Sequence, residues 1–440
     1  MPAPSFEPSL HLPTSGISRR TVLRTFAFGA AGVAASPLLA ACTGASNTNN
    51  SSSGGSTTAT LGSNASDEVP KAAMAALMGS AKSAAGVEVK VNTIPHQDFQ
   101  NNINSYLKGS PDDVFTWFAG FRMKAYANQG LCAQIDDVWS KAGANFSDAF
   151  KQASTADDGH QYFVPLYNYP WAVFYRPSVW QAKGYQPPKT YDEWIALCKQ
   201  MQKDNLTPIA FGDKDGWPAM GTFDYLNMRL NGYQFHVDLM AHKQSWSDAK
   251  VKKVFDTWKG LLPYHAAGSL GRTWEEAAKT VVDKKAGMYV LGSFVGQQWA
   301  AGDTDIDFFP FPEVDSNYGQ DSIEAPIDGF MLTKKGGQNS AARKLMEYLA
   351  TGKAEDTYLA TDSNDVAAAK DASTAKYNAL QKKAAELIGS AKSISQFLDR
   401  DADPAFANNA AIPAFQQFIK DQDVDSVCNS LEAQAKQLYG

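Results

Sequence analysis

From Thr58 onward the chain alternates short β-like runs with helical periods, and that alternation restricts it to α/β architecture. "TATLGSN" reads as a first strand and "EVPKAAMAALMGSAKSA" as a helix. "VEVKVNTI" is a strand, "QDFQNNINSYLKG" a helix, "PDDVFTWFA" a strand ending in aromatics, and "KAYANQGLCAQIDDVW" a helix. A second set begins at "WAVFYRPSVW". It holds the helix "YDEWIALCKQMQKD", the strand "TPIAFG", the helices "DAKVKKVFDTWKGLL" and "TWEEAAKTVVDKKA", and the strand "GMYVLGSF". "IEAPIDGFMLTKK" is one more extended run, and "NSAARKLMEYLAT" opens a mostly helical tail. No repeat of roughly 20–50 residues is visible. The body of a 440-residue chain exceeds one comfortable core, so two domains are expected.

The N-terminus carries a different signal. "SRRTVLR" at residues 18–24 precedes an apolar run over 26–39, shorter than the roughly 20 helical residues that span a bilayer. Paired arginines before a short apolar core read as an export signal of twin-arginine type. The run ends in "LAAC", which resembles a lipobox, with Cys42 as the lipidated first residue of the mature chain. An ordinary signal peptide with an incidental cysteine is the alternative. "TGASNTNNSSSGGSTT" follows, too small and polar to pack, and reads as a flexible tether. Residues 1–41 are thus expected to be a signal peptide and 42–57 a tether, holding the body at the outer face of a membrane through acyl chains on Cys42.

The formal net charge is −6, and the signal segment takes Arg19, Arg20 and Arg24 with it. An acidic body disfavours nucleic acid or an anionic membrane surface as a partner. Beyond Cys42 only Cys132, Cys198 and Cys428 remain, so at least one is unpaired. No CxxC or CxH spacing occurs and the six histidines are scattered, so no metal is expected. GxGxxG, P-loop, HExxH, GxSxG and CxxCH are all missing, so no cofactor is expected either. A monomer is expected.

Residues 162–177, "YFVPLYNYPWAVFYRP", hold seven aromatics, three prolines and one charge, Arg176. A buried strand accounts for Val164, Val173 and Phe174. It accounts less well for Asn168, Tyr169 and Trp171, because the flanking prolines are expected to keep that run out of a central ladder.

The order of pieces resembles the extracellular solute-binding proteins of family 1, the sugar-binding lipoproteins of ABC importers that include the maltodextrin-binding proteins. The likeness covers essentially the whole mature chain. It rests on "PDDVFTWFAG…YANQGLCAQIDD", "VPLYNYPWAVFYRP", "PIAFGDKDGW", "KKAGMYVLGSF" and "IDGFMLTKK…ARKLMEYLAT", each weak alone and specific in this order. The resemblance implies a two-lobed, periplasmic-binding-protein-like α/β fold of type II. Three crossing segments join the lobes, and a ligand cleft lies between them. The first lobe would comprise 58–166 and 326–373, the second 167–325 and 374–440. "VPLYNYPW" would be the first crossing, "IEAPIDGFML" the second, and the third would lie in the tail near 371–377.

A pyranose offers apolar C–H faces and a rim of hydroxyls that donate and accept, so its site needs flat aromatics and planar polar groups. Open α/β sheets bind ligands at strand ends. Phe118, after the third strand, matches a sugar-contacting tryptophan of the maltodextrin-binding proteins, and Arg122 a contacting arginine. Phe121 replaces the neighbouring aspartate, so a different hydroxyl pattern is implied. Asp215 and Trp217 in "GDKDGW" match an acidic and an aromatic contact, and Phe294 a stacking position. Asn168, Tyr169 and Trp171 would line the first crossing. Asp328 and Gly329 would offer a carboxylate and a close backbone approach in the second. "SISQFLDRDADP" is expected as a loop between helices that turns Phe397, Asp399 and Arg400 to the cleft.

The implied function is capture of a sugar outside the cell and delivery to a membrane permease, with no bond broken by this subunit. Mono-, di- and short oligosaccharides all fit, and the scatter of aromatics along the chain favours a disaccharide. A binding protein for another solute such as a peptide, and a secreted glycoside hydrolase, are the alternatives. The hydrolase would need two carboxyls about 5–9.5 Å apart. The doublets Asp112-Asp113, Asp136-Asp137 and Glu275-Glu276 do not meet that need in sequence.

Overall fold

The computed structural model describes residues 56–440, so the expected signal peptide, Cys42 and nearly all of the tether lie outside the described residues. Twelve strands follow in chain order. The first four are β1 (Thr58–Ser63), β2 (Glu88–Thr93), β3 (Val114–Phe118) and β4 (Phe163–Asn168). Then come β5 (Trp171–Tyr175), β6 (Thr207–Ala210), β7 (Ala286–Gly292) and β8 (Asp307–Phe309). The last are β9 (Ser322–Glu324), β10 (Ile327–Leu332), β11 (Val366–Ala367) and β12 (Ser393–Ser395).

Two sheets define two lobes. The first runs β11-β4-β10-β3-β1-β2 and the second β6-β7-β5-β8, with β12 and β9 forming a separate parallel pair. In the first sheet β2, β1 and β3 are parallel, and β10 then pairs antiparallel with both β3 and β4. Every residue of β3 is buried, as expected of a strand covered on both faces. One cover is the helix His96–Lys108, whose buried Phe99, Ile103 and Leu107 recur four apart and therefore share a face. The helix Glu68–Ala85 supplies the other through Ala73, Leu77 and Ala81.

The chain passes between the sheets at Tyr169-Pro170, where β4 ends and β5 begins, and again at Ala325-Pro326 between β9 and β10. Its third passage follows Tyr377, whose hydroxyl accepts from Ala367 N of β11. In the next helix, Ala379–Ser390, Lys383 Nζ bonds Asp307 Oδ1 of β8 at 2.6 Å.

Three expectations change. The aromatic run around Asn168 and Trp171 was expected outside a central ladder, yet β4 lies between β10 and β11, and β5 between β7 and β8. Neither proline breaks a bond there. Pro165 sits beside a register shift at Asp328/Gly329, and Pro170 falls between the two ladders. The single helix expected over "KAYANQGLCAQIDDVW" is two, Phe121–Ala127 and Asp136–Ala142. Gly130 adopts φ +67° between them and Cys132 bridges to Thr333, which uses backbone groups a helix would need. Sequence reading also passed over the helix Pro218–Met240. It is buried nearly all round and kinked at Gly232 (φ 81°), so it has no amphipathic stripe to betray it.

Local signals elsewhere hold. Thr190 with Glu193, and Thr273 with Glu276, form complete capping boxes at the starts of their helices. Glu276 is thereby committed to a cap. Asp113 accepts from Thr60 N and Asp112 from the Tyr106 hydroxyl, so these doublets hold structure. Cys132, Cys198 and Cys428 are all free and buried.

Candidate functional site

A cleft with a cavity volume of about 120 Å³ opens where the two sheets' crossing strands meet. One wall is charged. β3 ends at Phe118, and Gly120 (φ 71°) turns the chain into the helix that carries Arg122. A side chain at Gly120 would strike the Arg400 carbonyl, so glycine permits residues 119–120 to approach the segment 397–401.

Two buried guanidinium groups organise this wall. Arg122 Nη1 donates to Gln100 Oε1 at 2.7 Å and to Asp399 Oδ2 at 2.8 Å. Arg400 Nη1 donates to Asp328 Oδ1 at 2.8 Å, and its Nη2 to the Tyr169 hydroxyl at 2.9 Å. Both lie over the Phe118 ring, 4.7 and 4.4 Å from its centroid, as cation–π partners. Phe118 is consequently only 3% exposed. Burial opposes the charge on Arg400, but Tyr169, Asp328 and Asp399 together outweigh it and hold the group firmly protonated. Burial raises the pKa of Asp328 despite that partner. His96 stands edge-on to Phe118 at 6.2 Å, and burial, then Arg122, push its pKa down to about 4.

The other wall is aromatic. Trp217 precedes the helix Pro218–Met240, Trp274 opens the helix Trp274–Val282, and Phe294 follows β7. Phe294 lies 5.1 Å from Trp274, 6.1 Å from Trp217 and 6.4 Å from Trp171, in tilted or edge-on contacts. Trp171 is only 2% exposed and stacks on Phe397 at 4.8 Å. It also packs where a Cβ on Gly221 would fall, so it belongs to the second lobe's core as well as to the cleft surface.

The expected loop over "SISQFLDRDADP" is structured. β12 pairs with β9, and a short helix spans Leu398–Asp401. Between them Phe397 holds φ 122°, a conformation that costs a non-glycine residue about 1–3 kcal/mol. Its neighbours over-determine it. Leu398 N donates to Asp224 Oδ2 at 2.7 Å, and Gln396 N to Asp401 Oδ2 at 2.8 Å. The segment is a buried support, not the solvated charge run its composition suggests.

Ten expected residues line the cleft. Phe118, Arg122, Tyr169, Trp171 and Trp217 do so, and so do Phe294, Asp328, Phe397, Asp399 and Arg400. Asn168, Asp215 and Gly329 do not. Asn168 is buried within β4. Asp215 is half-buried in its turn, and the fully buried acid there is Asp213, whose Oδ1 accepts from Ala219 N. At Gly329 the close approach is made by the Val164 carbonyl and the Phe163 ring of β4, not by open cleft. Sequence reading missed Asn64, His96, Tyr167, Trp274, Gln297 and Asp365. Asn64 directly follows β1, so the rule that ligands gather at strand ends could have found it. Asp365 has no local signature.

The chain matches the family model for bacterial extracellular solute-binding protein over residues 65–356. A solved structure of the bacterial solute receptor AcbH, described as having an exclusive preference for β-D-galactopyranose, is 50% identical. The match covers 87% of this chain and 99% of that one, with a TM-score of 0.86. An uncharacterised ABC transporter extracellular-binding protein of Pyrococcus horikoshii is 26% identical over 70% of this chain and 68% of its own length. The α-glucosides-binding periplasmic protein AglE of Rhizobium meliloti is 24% identical over 64% of this chain and 66% of its own. A two-lobed fold, crossing strands that form the cleft walls, and a family match across most of both lobes agree: this chain belongs to the bacterial extracellular solute-binding proteins.

Proposed function

We propose that this protein is the sugar-binding subunit of an ABC importer, that it takes a single pyranose, and that β-D-galactopyranose is its ligand. One observation carries the reading: the rings of Trp217, Trp274 and Phe294 line one cleft together with a buried set of guanidinium and carboxylate groups. That pairing suits a ring with apolar faces and a hydroxyl rim. Aromatics that lie far apart in sequence each come within 6.4 Å of Phe294, which supports one sugar ring over the disaccharide that their scatter suggested. The 50% identity to a receptor described as preferring β-D-galactopyranose supports the choice of sugar.

Closure supplies the mechanism. Arg122 and Asp328 belong to first-sheet elements, and Asp399 and Arg400 to the segment after β12, so the pairs Arg122–Asp399 and Arg400–Asp328 join the lobes. A sugar that contacts both lobes adds contacts available only in the closed form and shifts the population toward it. The closed surface is then what the permease reads, and no bond is broken by this subunit.

Isothermal titration with galactose, glucose, maltose and a tripeptide tests the reading. Galactose is expected to bind tightest, and tripeptide binding with no sugar binding would overturn it. Trp217 gives a residue-level check. It is half-buried at the cleft, so Trp217→Ala should weaken sugar binding about tenfold or more through lost stacking and apolar area. The unliganded melting temperature should barely move. A core tryptophan would instead cost about 3–5 kcal/mol of stability and leave affinity alone.

Membrane attachment is part of the proposal. Twin-arginine export followed by lipidation of Cys42 would tether the body to the outer face of the membrane. Cys42→Ser is expected to release the protein into the medium or leave an unprocessed precursor. Normal membrane attachment of that variant would sink the lipoprotein reading.

A further inference from the structure

Three buried polar atoms in the cleft wall have no hydrogen-bond partner among the described residues: Asp365 Oδ1, Asp399 Oδ1 and Arg400 Nε. Every other guanidinium contact of the wall is internal, as the bonds of Arg122 and Arg400 above show. Buried polar atoms in native proteins are mostly paired. Other buried side-chain atoms elsewhere in the described residues also lack a partner, so what sets these three apart is their place: their residues line the cleft, where a ligand can complete them.

Asp365 stands out among them. It directly precedes β11, is 1% exposed, and uses its backbone carbonyl to accept from Gln381 Nε2 at 3.0 Å. Its carboxyl makes no hydrogen bond among the described residues. Burial, then the neighbouring Asp362 and Asp328, push its pKa well above the ordinary range, and no lysine or arginine bonds it. A carboxyl in that position weakens the unliganded fold, so packing alone does not explain it.

Asp399 Oδ1 and Arg400 Nε lie 3.7 Å apart. Neither atom is exposed to solvent, so the side chains must shift to admit an oxygen; one then placed about 2.8 Å from each would accept from Nε and donate to Oδ1. A hydroxyl does both. An ether or carbonyl oxygen only accepts, and an ammonium only donates.

We infer that Asp365 is a specificity residue of the cleft that accepts from one ligand hydroxyl, while Asp399 Oδ1 and Arg400 Nε jointly read a second. The assignment rests on the sugar reading above and deepens it: the ligand must present at least two hydroxyls to this wall, one of them both donating and accepting. Deoxy sugars lacking either hydroxyl are excluded.

The test combines Asp365→Asn and Asp365→Ala with titration of galactose and its monodeoxy analogues, and with melting of each unliganded variant. Asp365→Ala is expected to weaken galactose binding at least tenfold. Asp365→Asn, which keeps the shape and removes an ionisable group from an acidic cluster, should melt at the same temperature as the parent or higher. One monodeoxy galactose should bind the parent poorly and lose that penalty in Asp365→Ala, which identifies the hydroxyl read. Parental affinity in Asp365→Ala, or a lowered melting temperature in Asp365→Asn, would return Asp365 to a structural role and overturn the assignment alone. No deoxy position whose penalty shrinks would do the same. Failure of the parent protein to bind any sugar would overturn the sugar reading, and this assignment with it.

Discussion

Replacing Arg400 with methionine is expected to cost about 3–5 kcal/mol of stability and lower the melting temperature by several degrees. The guanidinium is the partner of Asp328 and of the Tyr169 hydroxyl, and it covers the Phe118 ring. Its removal leaves the Asp328 carboxylate facing burial without its hydrogen-bonded partner, with only the more distant Arg122 charge to offset it. Sugar affinity should fall at least tenfold as well, because Arg400 Nε goes with it. The double variant Arg400→Met/Asp328→Leu separates the two effects. Removing both charges should recover most of the stability, since an apolar pair of similar volume often matches a buried ion pair. Binding should not recover. Urea unfolding and calorimetric titration on the three proteins read both quantities. A double variant no more stable than the single one would mean that the loss lies in packing rather than in an unpaired charge.

His96 supplies the second large effect, in pH. Its folded pKa is pushed down to about 4, from an ordinary value near 6.5, by burial and by Arg122 and Arg400, with a backbone hydrogen bond to Asn64 and the Asp399 charge pulling the other way. A depressed histidine binds fewer protons folded than unfolded. Its contribution is therefore complete above pH ~6.5 and is lost as pH falls from there through about 4, on the order of 3 kcal/mol in all. Buried carboxyls run in the opposite direction. Burial raises Asp401 to about 6 and Asp213 to about 7, so their cost is greatest at neutral pH and is relieved on acidification. The whole-protein profile sums these, so only a difference isolates the histidine. The stability of the parent minus that of His96→Gln should shrink by about 3 kcal/mol between pH 7 and pH 4. A difference that stays flat over that interval would show that His96 takes up its proton at the same pH folded as unfolded, so that burial does not depress it.

Much of the architecture follows from neighbours in sequence. "TYDE" and "TWEE" announce two helix starts because a cap involves residues three apart. Phe99, Ile103 and Leu107 reveal a buried helix face for the same reason. The aromatic run over 162–177 marked the first crossing, although its prolines misled about the ladders. Where local signals were weak, sequence reading failed: at the kinked helix Pro218–Met240, buried nearly all round, and at the helix broken by Gly130.

The site is a harder case. Alternation of strand and helix, the export-like N-terminus and the order of the aromatic motifs were determined by the sequence itself. Only the tertiary structure decided that Trp171 is core as well as cleft, that Gly329 faces a neighbouring strand, and that Asp365 faces the ligand wall without a partner. Arg122 and Asp399 are 277 residues apart along the chain, and Arg400 and Asp328 are 72 apart. Helical periods and caps arise from contacts within one turn, so a short window of sequence contains them. Burial, charge pairing across a cleft and an unfilled hydrogen bond depend on which distant segments close upon each other, and no local window holds that information.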